Sequence, residues 1–280
     1  MLCHRVSPEP SPWHFMKGYP YDMKKVFASD FDGTLYFYLA EDDRKLPAEN
    51  VAKIREYQAA GHLFGLCTGR QVGGLTPFIT GFVEPDFYIT SSGANIVDTQ
   101  FKEIRKKGVD PKVADAIIKK YGTDNFRFTL DVEGDICVFK EMDYPGKYYI
   151  ITGVDDCPKG LIHQVSIHTE SLDDAARMTA EINAEFGDSV NAFQNVIEID
   201  IAPKGCSKGE GVQFLREYMK HEYGEIRLYG IGDSMNDLPL IDASDVSYTF
   251  PYAPKEVQDR VTKVVPTIVE ALEDSMNDPI

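Results

Sequence analysis

The chain has 280 residues, of which 43% are hydrophobic and 26% charged; this is a globular composition, and it excludes a disordered or fibrous chain. Its 45 acidic residues against 29 basic ones leave a formal charge of −16, so nucleic acid and anionic membrane surfaces are repelled, and no Lys/Arg-rich run offsets this. Five scattered cysteines (Cys3, Cys67, Cys137, Cys157 and Cys206) form no CxxC pair, which argues against a disulfide framework or a zinc site and for a reducing, cytoplasmic location.

Residues 1–23 read as an N-terminal extension, because Pro8, Pro10, Pro12 and Pro20 fall without any apolar period. There is no apolar core of a secretion signal, and no run reaches the roughly 18 apolar residues of a membrane helix. From Val26 short apolar runs alternate with helical periods. Val26 to Asp30 is the first predicted strand. Pro47 to Ala60 is a helix with Val51, Ile54 and Tyr57 on one face and Gly61 as its stop, and Leu63 to Cys67 is the second strand. Such runs without alternation are expected of parallel strands covered on both faces. Phe87 to Thr90 gives a third strand.

The texture then changes. Phe126–Leu130, Ile136–Phe139 and Gln164–His168 alternate like half-buried strands, with one helix from Pro111 to Tyr121 and another opened by the capping box of Ser171 and Asp174. Later, Lys208 to Tyr223 returns to a helical period and Arg227 to Ile231 to a buried strand. The expected fold class is α/β, a Rossmann-like parallel-sheet core with a smaller inserted α+β cap. The core would take residues 24–95 and 195–280, and the cap 96–194.

Chemistry gathers at the strand ends. Asp30-Phe31-Asp32-Gly33-Thr34 places two carboxylates at i and i+2 where a buried run stops, an arrangement that calls for a cation or a shared proton. An EF-hand loop is excluded, since Leu35 stands where glycine is required. Thr68-Gly69-Arg70 offers a hydroxyl, backbone amides and a guanidinium at the end of the second strand, a ready oxyanion site. Lys208 at a helix start is unfavourable against the dipole unless an anion lies nearby; Lys204 competes with it for that role. Walker spacing is absent. Gly230-Ile-Gly232 is not a dinucleotide fingerprint either, because Met235 replaces the third glycine. Asp233, Asn236 and Asp237 put three oxygen-bearing side chains in one loop, a set suited to Mg²⁺.

Taken together, Asp30-x-Asp32-Gly-Thr34, Thr68-Gly69-Arg70, Lys208 and Gly232-Asp233-x-x-Asn236-Asp237 resemble the haloacid dehalogenase superfamily, and within it the Cof-type phosphatases. The resemblance covers about residues 25–95 and 198–272. It implies Mg²⁺-dependent phosphoryl transfer through an aspartyl-phosphate. Asp30 would be the nucleophile, and Asp32 the general acid/base that also ligates the metal through its carbonyl. Thr68, Gly69 and Lys208 would hold the phosphoryl oxygens. Asp233 would be a second metal ligand, Asp237 an outer ligand or anchor, and Asn236 a hydrogen-bonding partner of Lys208 or phosphate. Ser92 and Asn95 either touch substrate or cap a turn.

One segment departs from the family pattern: Val246-Ser-Tyr-Thr-Phe250-Pro-Tyr252 stands where a glycine-rich stretch is usual. The implied substrate is a small phosphorylated metabolite such as a sugar phosphate, with neither nucleic acid nor membrane as partner and the chain a monomer or small homo-oligomer. A phosphosugar mutase and a non-catalytic phosphometabolite sensor are the competing readings.

Overall fold

Val26, Phe27 and Ala28 are fully buried because the strand that carries them runs through the middle of a sheet covered on both faces. The computed structural model describes residues 23–37, 46–144 and 146–280; residues 1–22 of the expected extension lie outside the described residues. In chain order the elements are β1 (Lys24–Ser29), α1 (Ala48–Ala59), β2 (Leu63–Cys67), α2 (Val72–Ile79), β3 (Phe87–Thr90), β4 (Asn95–Asp98) and β5 (Glu103–Lys106). There follow α3 (Pro111–Tyr121), β6 (Arg127–Val132), β7 (Asp135–Val138), β8 (Tyr148–Ile150), β9 (Ile162–His168), α4 (Leu172–Phe186), β10 (Val190–Asn195) and β11 (Glu198–Pro203). The chain closes with α5 (Lys208–Tyr223), β12 (Ile226–Ile231), α6 (Leu238–Ala243), β13 (Val246–Thr249), α7 (Lys255–Gln258), β14 (Lys263–Val264) and α8 (Ile268–Asn277).

Eight strands form the larger sheet in the order β14-β13-β12-β1-β2-β3-β4-β5. Its members from β14 to β3 pair in parallel, and β4 and β5 add an antiparallel edge. One face buries Phe27, Phe64 and Tyr229 against Val51, Ile54 and Tyr57 of α1 and Ile268 and Leu272 of α8. The opposite face buries Val26, Ala28 and Ile89 against Val212, Leu215 and Met219 of α5. This is a doubly wound core, whose ligand sites lie at the carboxyl ends of the strands. Lys25 is buried because its ammonium donates to the carbonyls of Ser275, Met276 and Asp278 at the C-terminus of α8, where a cation suits the dipole.

The smaller sheet has the order β10-β11-β9-β6-β7-β8. Alternation decides its faces. Phe128, Leu130, Val165, Ile167, Ile199 and Ile201 pack with α3 and α4, while the residues between them, Asp131, Gln164, Ser166 and Asp200, point the other way. That polar face rests on the strand ends of the larger sheet. Gln164 Nε2 donates to Gly69 O at 2.8 Å, the Gly73 N–H to Gly134 O at 3.1 Å, the Tyr144 hydroxyl to Gly73 O at 2.6 Å, and Ser91 Oγ to Asp131.

Three sequence expectations shift. Pro47 is the N-cap of α1 rather than part of its first turn, and β1 begins two residues before Val26. The larger sheet keeps the chain through Lys106, not residue 95, and the smaller sheet holds Val190–Pro203, so both crossings fall later than the drawn limits. The reason is that hairpins set these limits: β4 pairs with β3 and β5, and β10 with β11, contacts that no periodicity encodes. Among the described residues no helix is long and apolar enough to cross a membrane, and Cys67, Cys137, Cys157 and Cys206 are free thiols.

Candidate active site

The backbone leaves β1 at Asp30, whose N–H donates to Ile231 O at 2.9 Å, and turns sharply through Gly33. Gly33 has φ +76°, and a Cβ there would stand 2.5 Å from Asp233 Oδ2, so the turn accepts no side chain. Beside it, Thr34 Oγ1 donates to Asp233 Oδ1 at 3.0 Å, which ties the loop after β1 to the loop after β12.

Lys208 opens α5, where Ser207 is the N-cap and accepts from the Glu210 N–H. A buried cation in the first turn opposes the dipole, and the structure supplies the anions it needs: Nζ lies 2.5 Å from Asp30 Oδ1 and 2.5 Å from Asp237 Oδ1. Of the two competing lysines it is Lys208 that enters the site; Lys204 is exposed. Burial alone would lower the Lys208 ammonium, but Asp237 and Asp30 outweigh it and hold its pKa well above the ordinary lysine value. Burial, then the Asp237 charge, push the Asp30 carboxyl well above the usual range, with Lys208 opposing. Asp233 is pushed up to about 6, chiefly by burial and then by Asp237.

Carboxylate oxygens of Asp30, Asp233 and Asp237 all lie within 4.8 Å of one another. Three carboxylates against one ammonium leave an excess of two negative charges when all are ionised, and a hard divalent cation on oxygen ligands meets that excess. The donors are not equivalent. Asp237 Oδ2 accepts from the backbone N–H groups of Asp233 and Ser234 at 3.0 Å each, while its Oδ1 takes Lys208. Its oxygens are committed, which favours the anchoring role, and Asp30 and Asp233 are the donors that fit Mg²⁺.

Asp32 stands apart from this group. Its carboxylate receives a two-pronged fork from Arg70, Nε to Oδ2 and Nη2 to Oδ1, both at 2.7 Å. The guanidinium lies over the rings of Phe31, Tyr36 and Phe78, and its Nη1 donates to Gly74 O at 2.8 Å. Thr68 is buried at the end of β2; its N–H donates to Ile89 O, and its Oγ1 accepts from the Arg70 N–H at 3.1 Å. The strand order therefore brings Asp30, Asp32, Thr68, Gly69, Lys208, Asp233 and Asp237 to one edge of the sheet. Asn236 is nearby, but Ser234 Oγ donates to its Oδ1 at 2.5 Å, so its acceptor serves its own loop rather than Lys208. Ser92 belongs to a turn: its φ is +52°, and its N–H donates to Thr68 O at 3.2 Å. Asn95 likewise lies in β4, its carbonyl accepting from Thr90 Oγ1.

Sequence reasoning passed over the contribution of the smaller sheet. A Cβ on Gly69 would stand 2.4 Å from Asp200 Oδ2, so this carboxyl packs directly on the Thr68-Gly69-Arg70 loop, with Gln164 and Ser166 donating to its Oδ1. The signal was the alternation of β9 and β11, which sets Gln164, Ser166 and Asp200 opposite the apolar face. Burial pushes the Asp200 carboxyl up to about 7, with Glu198 adding to the shift and the Ser166 hydrogen bond opposing it. A raised carboxyl binds its proton in the folded state before the unfolded one, so its contribution to stability is full below about pH 4 and is lost as pH rises to about 7. Asp200→Asn removes that slope. The wild-type protein is then expected to lose on the order of 2–4 kcal/mol relative to the variant between pH 4 and pH 7, read by urea unfolding. A difference that stays constant with pH would show that Asp200 titrates normally.

A family model for haloacid dehalogenase-like hydrolases matches residues 27–271. The HMP-PP phosphatase of Citrobacter koseri is 23% identical over 231 residues, which are 79% of this chain and 82% of that protein. The crystal structure of a haloacid dehalogenase-like hydrolase from Bacteroides thetaiotaomicron superposes with a TM-score of 0.72 at 18% identity, covering 90% of this chain and 99% of the other. A subclass IIB sugar phosphatase of the same superfamily superposes with a TM-score of 0.73 at 17% identity, covering 90% and 98%.

Proposed function

The chain belongs to the haloacid dehalogenase-like hydrolase family, and from this premise we propose that it is a Mg²⁺-dependent phosphatase that hydrolyses a small phosphorylated metabolite through an aspartyl-phosphate on Asp30. The observation that carries the reading is the placement of the buried Asp30 carboxylate between the Lys208 ammonium and the Asp233 carboxylate, with a second acid two residues on. A carboxylate in that position is a nucleophile whose charge is balanced by the ammonium on one side and would be balanced by a divalent cation shared with Asp233 on the other.

Asp30 attacks phosphorus, forming an O–P bond as the ester O–P bond breaks in line. Asp32, released from the Arg70 fork and protonated from solvent before transfer, gives that proton to the departing oxygen, then takes one from the water that attacks the aspartyl-phosphate and frees Asp30 and inorganic phosphate. Arg70 sets the direction of the Asp32 carboxyl. Lys208, the Thr68 hydroxyl and the Gly69 amide receive the phosphoryl oxygens. Asp30 and Asp233 would hold Mg²⁺, which would supply charge screening for attack of a carboxylate on a phosphate. The smaller sheet serves as a cap whose polar face covers the strand ends and excludes water during transfer. A sugar phosphate, the class implied by the sequence resemblance, agrees with the neighbour that is a sugar phosphatase. The HMP-PP phosphatase relative widens the range of leaving groups.

The test is phosphate release from phosphorylated sugars, nucleotides and vitamin phosphates with Mg²⁺ and with EDTA. Release is expected with metal and should fall to background on chelation. Metal-independent release would remove Mg²⁺ from the proposal, and consumption of ester with no free phosphate would replace hydrolysis by transfer to a second hydroxyl.

A further inference from the structure

Helix α2 contains a residue whose backbone groups its own helix leaves unpaired on both sides. The Gly73 N–H lies in the first turn, where helices offer no internal acceptor. The Gly73 carbonyl would take the N–H four residues on, but that residue is Pro77, which has none. The smaller sheet supplies both partners: the N–H donates to Gly134 O at 3.1 Å, and the Tyr144 hydroxyl donates to the carbonyl at 2.6 Å. The position admits no side chain, because a Cβ would stand 2.6 Å from Gly134 O. Gln71, the N-cap, makes no side-chain capping bond, and two consecutive glycines, Gly73 and Gly74, favour a helix little. This turn is therefore held from outside.

The same turn holds Arg70. Its Nη1 donates to Gly74 O at 2.8 Å, and its guanidinium lies 4.7 Å from the centroid of the Phe78 ring. Gly74 and Phe78 are four residues apart and so share one face of α2. Tyr144 meets the same ring, with centroids 6.5 Å apart, and is itself fixed by Gly146, where a Cβ would collide with the tyrosine ring. Burial raises the Tyr144 phenol and the Arg70 charge opposes that rise, as expected of neighbours. Tyr144 and Arg70 thus grip adjoining points of one helix, and the other side of the guanidinium is the fork on Asp32.

We propose that Tyr144 is a positioning residue for the proton transfer: by completing α2 it holds Arg70 in place, so that the carboxylate left when Asp32 gives up its proton finds the fork already formed. The catalytic consequence rests on the phosphatase reading above; the coupling of Tyr144 to Arg70 does not. As the ester O–P bond breaks, the proton passes from the Asp32 carboxyl to the departing oxygen, leaving an alcohol and a carboxylate. A preorganised guanidinium stabilises that charge as it develops. An ester whose leaving group departs as a stable anion needs no such proton.

Two esters separate these cases in the full-length chain with Mg²⁺: glucose 6-phosphate, which leaves as an alcohol, and 4-nitrophenyl phosphate, which leaves as a stabilised phenolate. The ratio of their kcat/KM values should fall about tenfold in Tyr144→Leu and about threefold in Tyr144→Phe, which keeps the ring and loses one hydrogen bond. Adding Pro77→Ala returns an N–H to the helix and should restore most of the ratio lost in Tyr144→Phe. On an Asp32→Asn background Tyr144→Leu should not move the ratio further. A constant ratio, or an equal fall on that background, would overturn the proposal, since damage to the fold alone lowers both esters together. A second readout needs no turnover: the Arg70 Nε–H, followed by ¹⁵N NMR, should exchange with solvent about tenfold faster in Tyr144→Leu. Unchanged exchange would overturn the coupling even if phosphate is released normally. Faster exchange with no phosphate from either ester would keep the coupling and sink the phosphatase reading instead.

Discussion

Asp30→Asn lowers phosphate release by on the order of 10⁴-fold or more while leaving the fold intact. Asparagine has the shape of aspartate but no anionic oxygen to attack phosphorus, so the loss falls on kcat and not on substrate binding alone. The stability readout runs the other way and tells this loss apart from damage. Because burial and Asp237 push the Asp30 carboxyl well above its usual range, the ionised group strains the metal-free protein, and this strain grows as pH rises through the folded pKa. At pH 7 without metal the variant should melt no lower than the wild type. With Mg²⁺ the order reverses, since the wild type gains binding energy through Asp30 and the variant gains less. Undiminished turnover in Asp30→Asn would remove Asp30 as the nucleophile.

The candidate site was legible as a cluster because each of its groups sits where a buried run stops. Asp30, Thr68, Lys208 and Asp233 are all short-range signals, in which an apolar strand or a helix start is followed by a residue whose chemistry is out of place there. The strand order then places them together, as open α/β sheets require. Residues that act across the chain were not legible in this way. The fork of Arg70 on Asp32 joins residues 38 apart in sequence, and the hydrogen bond of Tyr252 to Gly33 joins residues 219 apart. Both are products of tertiary packing. The limits of the smaller unit were blurred for a related reason: Glu103–Lys106 is partly exposed at the sheet edge and shows no period, so only its pairing with β4 reveals it as a strand. Asn236 shows the opposite case, a motif residue whose acceptor is used within its own loop.

Lys208→Met should cost about 3–5 kcal/mol, the usual penalty for removing one partner of a buried ion pair. The ammonium is 3% exposed and faces two carboxylates that are themselves 4% and 0% exposed, so no water can replace it without opening the site. Methionine fills much of the same volume, which keeps a cavity from confounding the result. The variant can relieve the unpaired charge only by taking up a proton, and its stability should therefore fall more steeply with rising pH than that of the wild type. Urea unfolding should give a larger difference at pH 8 than at pH 6. Activity should drop about 10²- to 10³-fold as the phosphoryl oxygens lose a fixed positive charge, even at saturating Mg²⁺. Lys204→Met is the control: that side chain is exposed, and its loss should stay within about 0.5 kcal/mol. A Lys208→Met protein as stable as the control at both pH values would mean that Asp30 and Asp237 do not need the ammonium, and the charge balance on which the whole site depends would then have to come from the metal alone.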